Sequence, residues 1–191
     1  MNNRITGFSI FTLLAVILAV LSFPGCSLDY NESAIADSLA EEVPDTVLYD
    51  FVQTKVTNGL PEIRVYGAEA AAYGKKKQTL IREVLFQEFN KEGELVTEGS
   101  ADNIVFFTET EDAEIRGSID FYSKTEKAGI KGEYLYWKNK EKTLSSLPDE
   151  PVRMEKDDGS YILGSGFETQ VKQKSVTFTR TVQGQWVDEE D

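Results

Sequence analysis

From residue 46 onward the chain alternates apolar and polar residues in short runs, separated by turn-forming residues. Side chains on a strand repeat every two residues, so this pattern predicts β-strands. The first run, 46–56, places Val47, Tyr49 and Phe51 on one face. Asn58-Gly59 is a strong hairpin signal, and Ile63 and Val65 follow it on a second run through residue 73. Further strand candidates span 79–89, 104–107, 115–121, 134–137, 152–155, 161–171 and 175–182. Turn residues near Gly93, Gly129 and Gly159 break the pattern between them. Residues 78–90 also fit an amphipathic helix through Leu80, Ile81, Val84, Leu85 and Phe89, but their place among β-rich neighbours favours a strand.

Four glycines, Gly67, Gly99, Gly132 and Gly164, recur 32, 33 and 32 residues apart, each amid strand-like text. Self-similarity at that period indicates a stacked architecture in which no unit buries its apolar face alone. The expected fold is all-β, built from ~33-residue repeats, with a long apolar interior and two open edges. Its inward face is expected to carry Phe86, Val105, Phe107, Ile119, Phe121, Leu135, Trp137, Val152, Met154, Phe167, Val176 and Phe178.

The N-terminus reads differently. Arg4 precedes an apolar stretch over residues 8–21, and small and turn-forming residues lead to Gly25-Cys26. This is the pattern of a targeting segment, to be left out of fold reasoning. Cys26 is the only cysteine, so no intramolecular disulfide is possible. Its position after the apolar stretch resembles a lipobox, with cleavage before an acylated Cys26, although Phe23 and Pro24 depart from the usual pattern. A retained anchor is the alternative, yet residues 7–23 are short of the ~20 that a spanning helix needs. Simple secretion is a third reading. The expected organisation is a lipoprotein signal peptide at 1–25, an acidic tether at 26–44, a β-domain at 45–187 and an acidic tail at 188–191.

Charge and chemistry narrow the function. The whole chain carries −13, and Arg4 is the only charge before Cys26. An acidic domain without a basic surface excludes nucleic acid as an expected partner. The lysines at 75–77, 138–142 and 172–174 read as solvated hairpin tips. Histidine is absent, which removes His-based triads and zinc sites. The acidic residues lie mostly at turns and polar faces, without the spacing of a calcium loop, and no GxxxxGK[ST] run is present. No enzyme, metal or cofactor is expected.

The residues also resemble a family. Gly59 followed by Ala68-x-Ala70-x-x-Tyr73, then Phe89-x-x-x-Gly93, Gly99-Ser-Ala101-Asp102 and Gly117-Ser-Ile119, match in order the LptC-type periplasmic proteins of lipopolysaccharide export. So do Pro151-Val-Arg153, Ile162-Leu-Gly164-Ser-Gly166-Phe167 and Val182-x-Gly184. The resemblance covers residues 46–186. It implies a twisted β-jellyroll, shared with the LptA/OstA bridge proteins, whose two antiparallel sheets form an open V. It also implies a protein that receives lipopolysaccharide or a similar glycolipid from an inner-membrane ABC transporter and passes it to an LptA-like bridge protein. Edge strands would make those contacts, with Val47, Tyr49 and Phe51 at one edge and Gly164, Thr177 and Thr179 at the other. The chain would sit in the periplasm, anchored through lipidated Cys26, with the inner membrane favoured over the outer. The competing expectation is an envelope or surface lipoprotein that binds a protein partner and keeps a sealed core.

Overall fold

The computed structural model describes residues 42–170 and 175–187, which lie in the unit Leu39–Asp191. The expected signal peptide, Cys26, the tether up to residue 41 and the acidic tail lie outside the described residues.

The alternating runs fold as ten strands: β1 Thr46–Thr57, β2 Leu60–Tyr73, β3 Gln78–Phe89, β4 Leu95–Phe107, β5 Asp112–Ser123, β6 Ala128–Lys138, β7 Thr143–Ser145, β8 Pro151–Lys156, β9 Tyr161–Gln170 and β10 Ser175–Gln185. Strand wins over helix at Gln78–Phe89. There Leu80 pairs with Val105 and Ile81 with Ile104, so the two apolar positions that would share a helix face serve opposite faces of a sheet. The described reversals from β2 to β3, β4 to β5, β5 to β6 and β6 to β7 are tight. Lys77, Glu111, Lys127 and Lys142 take positive φ at the last position of their turns, just before the next strand. The turn expected at Gly129 closes earlier, at 124–127, and Gly129 lies within β6 opposite Tyr122.

All ten strands join one antiparallel sheet in meander order. β7 and β8 act as one interrupted strand, because both lie between β6 and β9. The ends of the order are β1 and β10. The two sheets expected from the family resemblance are thus the two halves of a single sheet, and each long strand contributes to both.

A crease makes the halves. Ladder pairing lapses at Asp50, Ala68, Glu83, Asp102, Gly117, Ser118, Glu133, residues 146–150 and Gly166, which form a row crossing the sheet. Asp50, Glu83 and Ser118 there have φ of 47°, 50° and 45°, and Gly117 and Gly166 have 76° and 64°. Register shifts mark bulges at Ser100/Asn103, Arg116/Ile119 and Arg180/Val182, and bulges bend the strand and raise its twist. At Asp50/Ala68 and Glu83/Asp102 the register is unchanged, and the left-handed residue alone turns the strand. Aligned across neighbours, they fold the sheet along one line.

The bend also resets the alternation. Inward residues step by three at the crease, from Ile81 to Val84, from Ala101 to Ile104 and from Gly132 to Leu135, where an uninterrupted strand steps by two. In β5 the step is from Ile115 to Ile119, around Gly117 and Ser118. Both halves therefore turn apolar faces to one cluster of Ala101, Ile115, Ile119, Leu135, Val152 and Phe167. Leu135 and Val152 are fully buried and Phe167 is 1 % exposed.

Candidate lipid groove

The inward face runs along the strand order. In the first half it carries Ile81, Ile104, Ile115 and Leu135 as successive cross-strand partners, then Leu144, Phe167 and Phe178. In the second half it carries Phe51, Val65, Phe86, Phe121, Ile130, Met154 and Ile162. Cross-strand pairs are the stabilising unit of such a face. Two of them here are tilted ring pairs, Phe86–Phe121 at 6.2 Å and Phe167–Phe178 at 5.5 Å between centroids.

The repeat glycines belong to this face. Gly67, Gly99, Gly132 and Gly164 sit inside β2, β4, β6 and β9, on alternate strands, and do not open the runs in which they occur. Each faces bulky neighbours: Gly67 lies against Phe51 and Ile81, and Gly99 lies under the Phe121 ring. Gly132 and Gly164 flank Val152. The ~33-residue period is therefore that of a hairpin, two strands long, whose second strand supplies a flat spot for a neighbour's side chain, a ring at Gly67 and Gly99 and Val152 at Gly132 and Gly164.

Of the expected inward residues, Phe86, Ile119, Phe121, Leu135, Trp137, Val152, Met154, Phe167, Val176 and Phe178 share this face. Ile119, Leu135, Val152 and Phe167 are buried, while Phe86, Phe121, Trp137, Met154 and Phe178 are half-buried and Val176 is exposed. Val105 and Phe107 lie on the opposite face, paired with Leu80 and Gln78, and the Phe107 ring meets Tyr136 there. Sequence reasoning missed Phe51, Ile104 and Phe106, whose neighbours Asp50 and Asn103 border the crease and hide the change of face.

At the first edge Val47 and Tyr49 are outward and exposed, whereas Phe51 turns inward onto Gly67, because the left-handed Asp50 between them throws the alternation out of phase without shifting the register. At the other edge Thr177 and Thr179 lie on β10, but Gly164 is one strand in, between Val152 and Val182. The edges carry exposed apolar residues: Leu48 is 50 % exposed, Val52 58 % and Val182 58 %.

The outward face of the second half is polar. Lys131 bridges Glu155 at 2.6 Å and Asp120 at 3.8 Å, Arg153 meets Glu155 at 2.9 Å, and the Tyr122 hydroxyl donates to Asp157. Lys131 and Arg153 hold the Glu155 carboxyl below its usual range, first through their hydrogen bonds. Lys131, Arg153 and Asp157 also line a shallow concavity of about 250 Å³, where both cations are taken up by Glu155 and Asp157 by the Tyr122 hydroxyl. Such exposed pairs add little stability; what they do is mark the solvent face.

On the outward face of the first half, burial pushes the Tyr134 phenol up to about 12, with Glu114 adding to the shift. A raised folded pKa means that this contribution to stability is complete below pH 10 and lost as pH rises toward 12. A spectrophotometric titration is expected to show three tyrosines, Tyr122, Tyr134 and Tyr136, ionising late, and Tyr134→Phe is expected to remove the step near pH 12.

The described residues hold no group of three or more His, Cys, Asp or Glu able to bind a metal. Among them no helix is long and apolar enough to cross a membrane.

Comparison with known proteins decides the family. The family model for lipopolysaccharide-assembly, LptC-related proteins matches residues 12–187. The chain belongs to the LptC-related family. As a member, it is a lipopolysaccharide-assembly protein. Among solved structures, this LptC-related chain is similar to LptH of Pseudomonas aeruginosa, described as the LptA-homologous periplasmic component of the lipopolysaccharide transport device. The identity is 12 %, the match covers 78 % of this chain and 99 % of that one, and the TM-score is 0.30. No curated protein matches the chain.

Proposed function

We propose that this protein receives lipopolysaccharide or a related glycolipid from an inner-membrane ABC transporter and passes it along the creased sheet to an LptA-like bridge protein. One observation carries the reading: the apolar inward face extends along the strand order to β1 and β10, the edge strands among the described residues. A groove along that direction is lengthened by any sheet that adds a strand to β1 or β10. Exposed edges recruit strands in this way.

The energetics suit a carrier. About ten methylenes moved from water to an apolar surface give a gross gain of ~8 kcal/mol. That is enough to hold an acyl chain and small enough to release it. β1, with Val47, Tyr49 and Phe51, serves the transporter side. β10, with Thr177 and Thr179, serves the bridge side, and Gly164 supports it from β9. Lipidated Cys26 holds the domain at the membrane, the inner one by this reading. The chain supplies no nucleotide site of the GxxxxGK[ST] type, so the driving energy belongs to the partner.

The test is paired photo-crosslinking in cells of the source organism. A photoreactive residue at Thr177 is expected to give an adduct with a β-jellyroll bridge protein, and one at Val47 an adduct with a transporter subunit. A residue at Tyr122, on the polar outward face, serves as control. Adducts of equal yield from all three positions, or none from either edge, would remove the proposal. A sealed-core lipoprotein would give a protein adduct from a sheet face and no lipid adduct from Phe178.

A further inference from the structure

The geometry points to the crease as a hinge, with the described conformation as its closed state, in which the sheet's own side chains fill the groove floor. Amphiphile entry then requires the two half-sheets to spread about the line through Ala68, Glu83, Asp102 and Ser118, with β1–β3 opening ahead of the rest. This rests on the reading of the groove as a lipid path and adds how the path is gated.

Two observations carry it. First, the floor under β4–β9 has no free surface to offer: Ile119, Leu135, Val152 and Phe167 are each at most 2 % exposed and packed into one cluster. An acyl chain can reach them only by replacing their contacts with one another. Second, the ladder lapses along the crease, so at that line the halves are joined by the covalent backbone, and neighbouring strands are held together by a few specific ties.

Those ties are unevenly placed. The Ser118 hydroxyl bonds Asp102 at 3.1 Å, and the Ser118 amide donates to Glu133 at 3.3 Å. Further along, the Phe167 amide donates to Ser146 Oγ at 3.0 Å, Thr179 bonds the Gly166 carbonyl, and Arg180 pairs with Asp149. Among the described residues no side-chain bond of this kind holds Asp50, Ala68 or Glu83. The β1–β3 side also lies outside the main cluster. Beside its crease residues stand the exposed Arg82–Glu69 ion pair at 3.7 Å, worth little, and the buried Val84. A line of interrupted pairing held more firmly at one end opens from the weaker end. Local opening is drawn from regions with few buried contacts.

The test measures the bend directly in the full chain carrying Cys26→Ser. Spin labels at Lys76→Cys and Lys91→Cys report the tip-to-tip span of β3, and labels at Lys127→Cys and Lys140→Cys report that of β6. All four sites are exposed turn residues. Pulsed dipolar spectroscopy is expected to give a β3 distribution at least twice as wide as the β6 one without ligand. Purified lipopolysaccharide is expected to lengthen the β3 distance. Ser118→Gly keeps a residue tolerant of positive φ but loses the hydroxyl tie, and is expected to widen the β6 distribution toward that of β3. Equal widths for the two spans without ligand would overturn the hinge, whatever binds. Lipopolysaccharide that binds, by native mass spectrometry, with both distances unmoved would also overturn it. Unequal widths with no lipopolysaccharide bound would uphold the hinge and count against the lipid path.

Discussion

Gly99→Val is expected to lower the midpoint of thermal unfolding by about 10 °C, which corresponds to roughly 3 kcal/mol for a domain of this size. Gly99 lies between Phe86 and Phe121 on the inward face. A Cβ there would fall on the Phe121 ring and within 2.7 Å of the Asp120 carbonyl oxygen. The ring could swing aside only by leaving Phe86, and the carbonyl belongs to the neighbouring strand, so the ladder itself would have to shift. The control comes from the same repeat. At Gly132 an added Cβ would meet the Pro151 carbonyl and Val152 Cγ2 at 3.5 Å, ordinary contact distances. Gly132→Ala is therefore expected to change stability by no more than about 1 kcal/mol, and restricting the unfolded chain could make the change favourable. Circular dichroism melts of the two variants decide. Equal losses would mean that the glycines serve the repeat in some other way than by seating rings.

Val176→Arg is expected to abolish delivery of lipid while leaving the fold intact. Val176 lies on the inward face of β10, opposite Thr169, and is 44 % exposed. A surface substitution of that kind usually shifts stability by less than about 0.5 kcal/mol. An acyl chain leaving the groove over β10 would instead have to pass a guanidinium, whose desolvation without a partner is costly. The readout is transfer of radiolabelled lipopolysaccharide to a bridge protein in reconstituted vesicles, with the melting curve measured alongside. Undiminished transfer would show that lipid does not cross this part of β10.

The strands were legible in the sequence because alternation and turn chemistry agree along most of the chain, as at Asn58-Gly59. The inward face was largely legible too, since runs such as Leu135–Trp137 and Ile119–Phe121 each lie wholly within one half of the sheet. The crease was hidden. Its left-handed positions include Asp50, Glu83 and Ser118, ordinary polar residues that carry no glycine signal. Alternation carried across such a position ends on the wrong face. That is why Phe51 turns away from Val47 and Tyr49, and why Val105 and Phe107 lie opposite Ile104 and Phe106. The four glycines announced a repeat, but what they accommodate is set by side chains on neighbouring strands, distant in the chain, as with Phe121 over Gly99. The interior place of Gly164 was likewise beyond the sequence, because only the pairing of β9 with both β8 and β10 reveals it.

The central claim is that the inward face carries an amphiphile, and native mass spectrometry of the full chain, purified gently from its own envelope, tests it most directly. The account predicts a co-purifying glycolipid of one or a few masses, retained in the wild type and lost in Phe121→Arg. A lipid-free protein with an undiminished melting temperature would contradict it, and would leave a sealed-core lipoprotein as the better description.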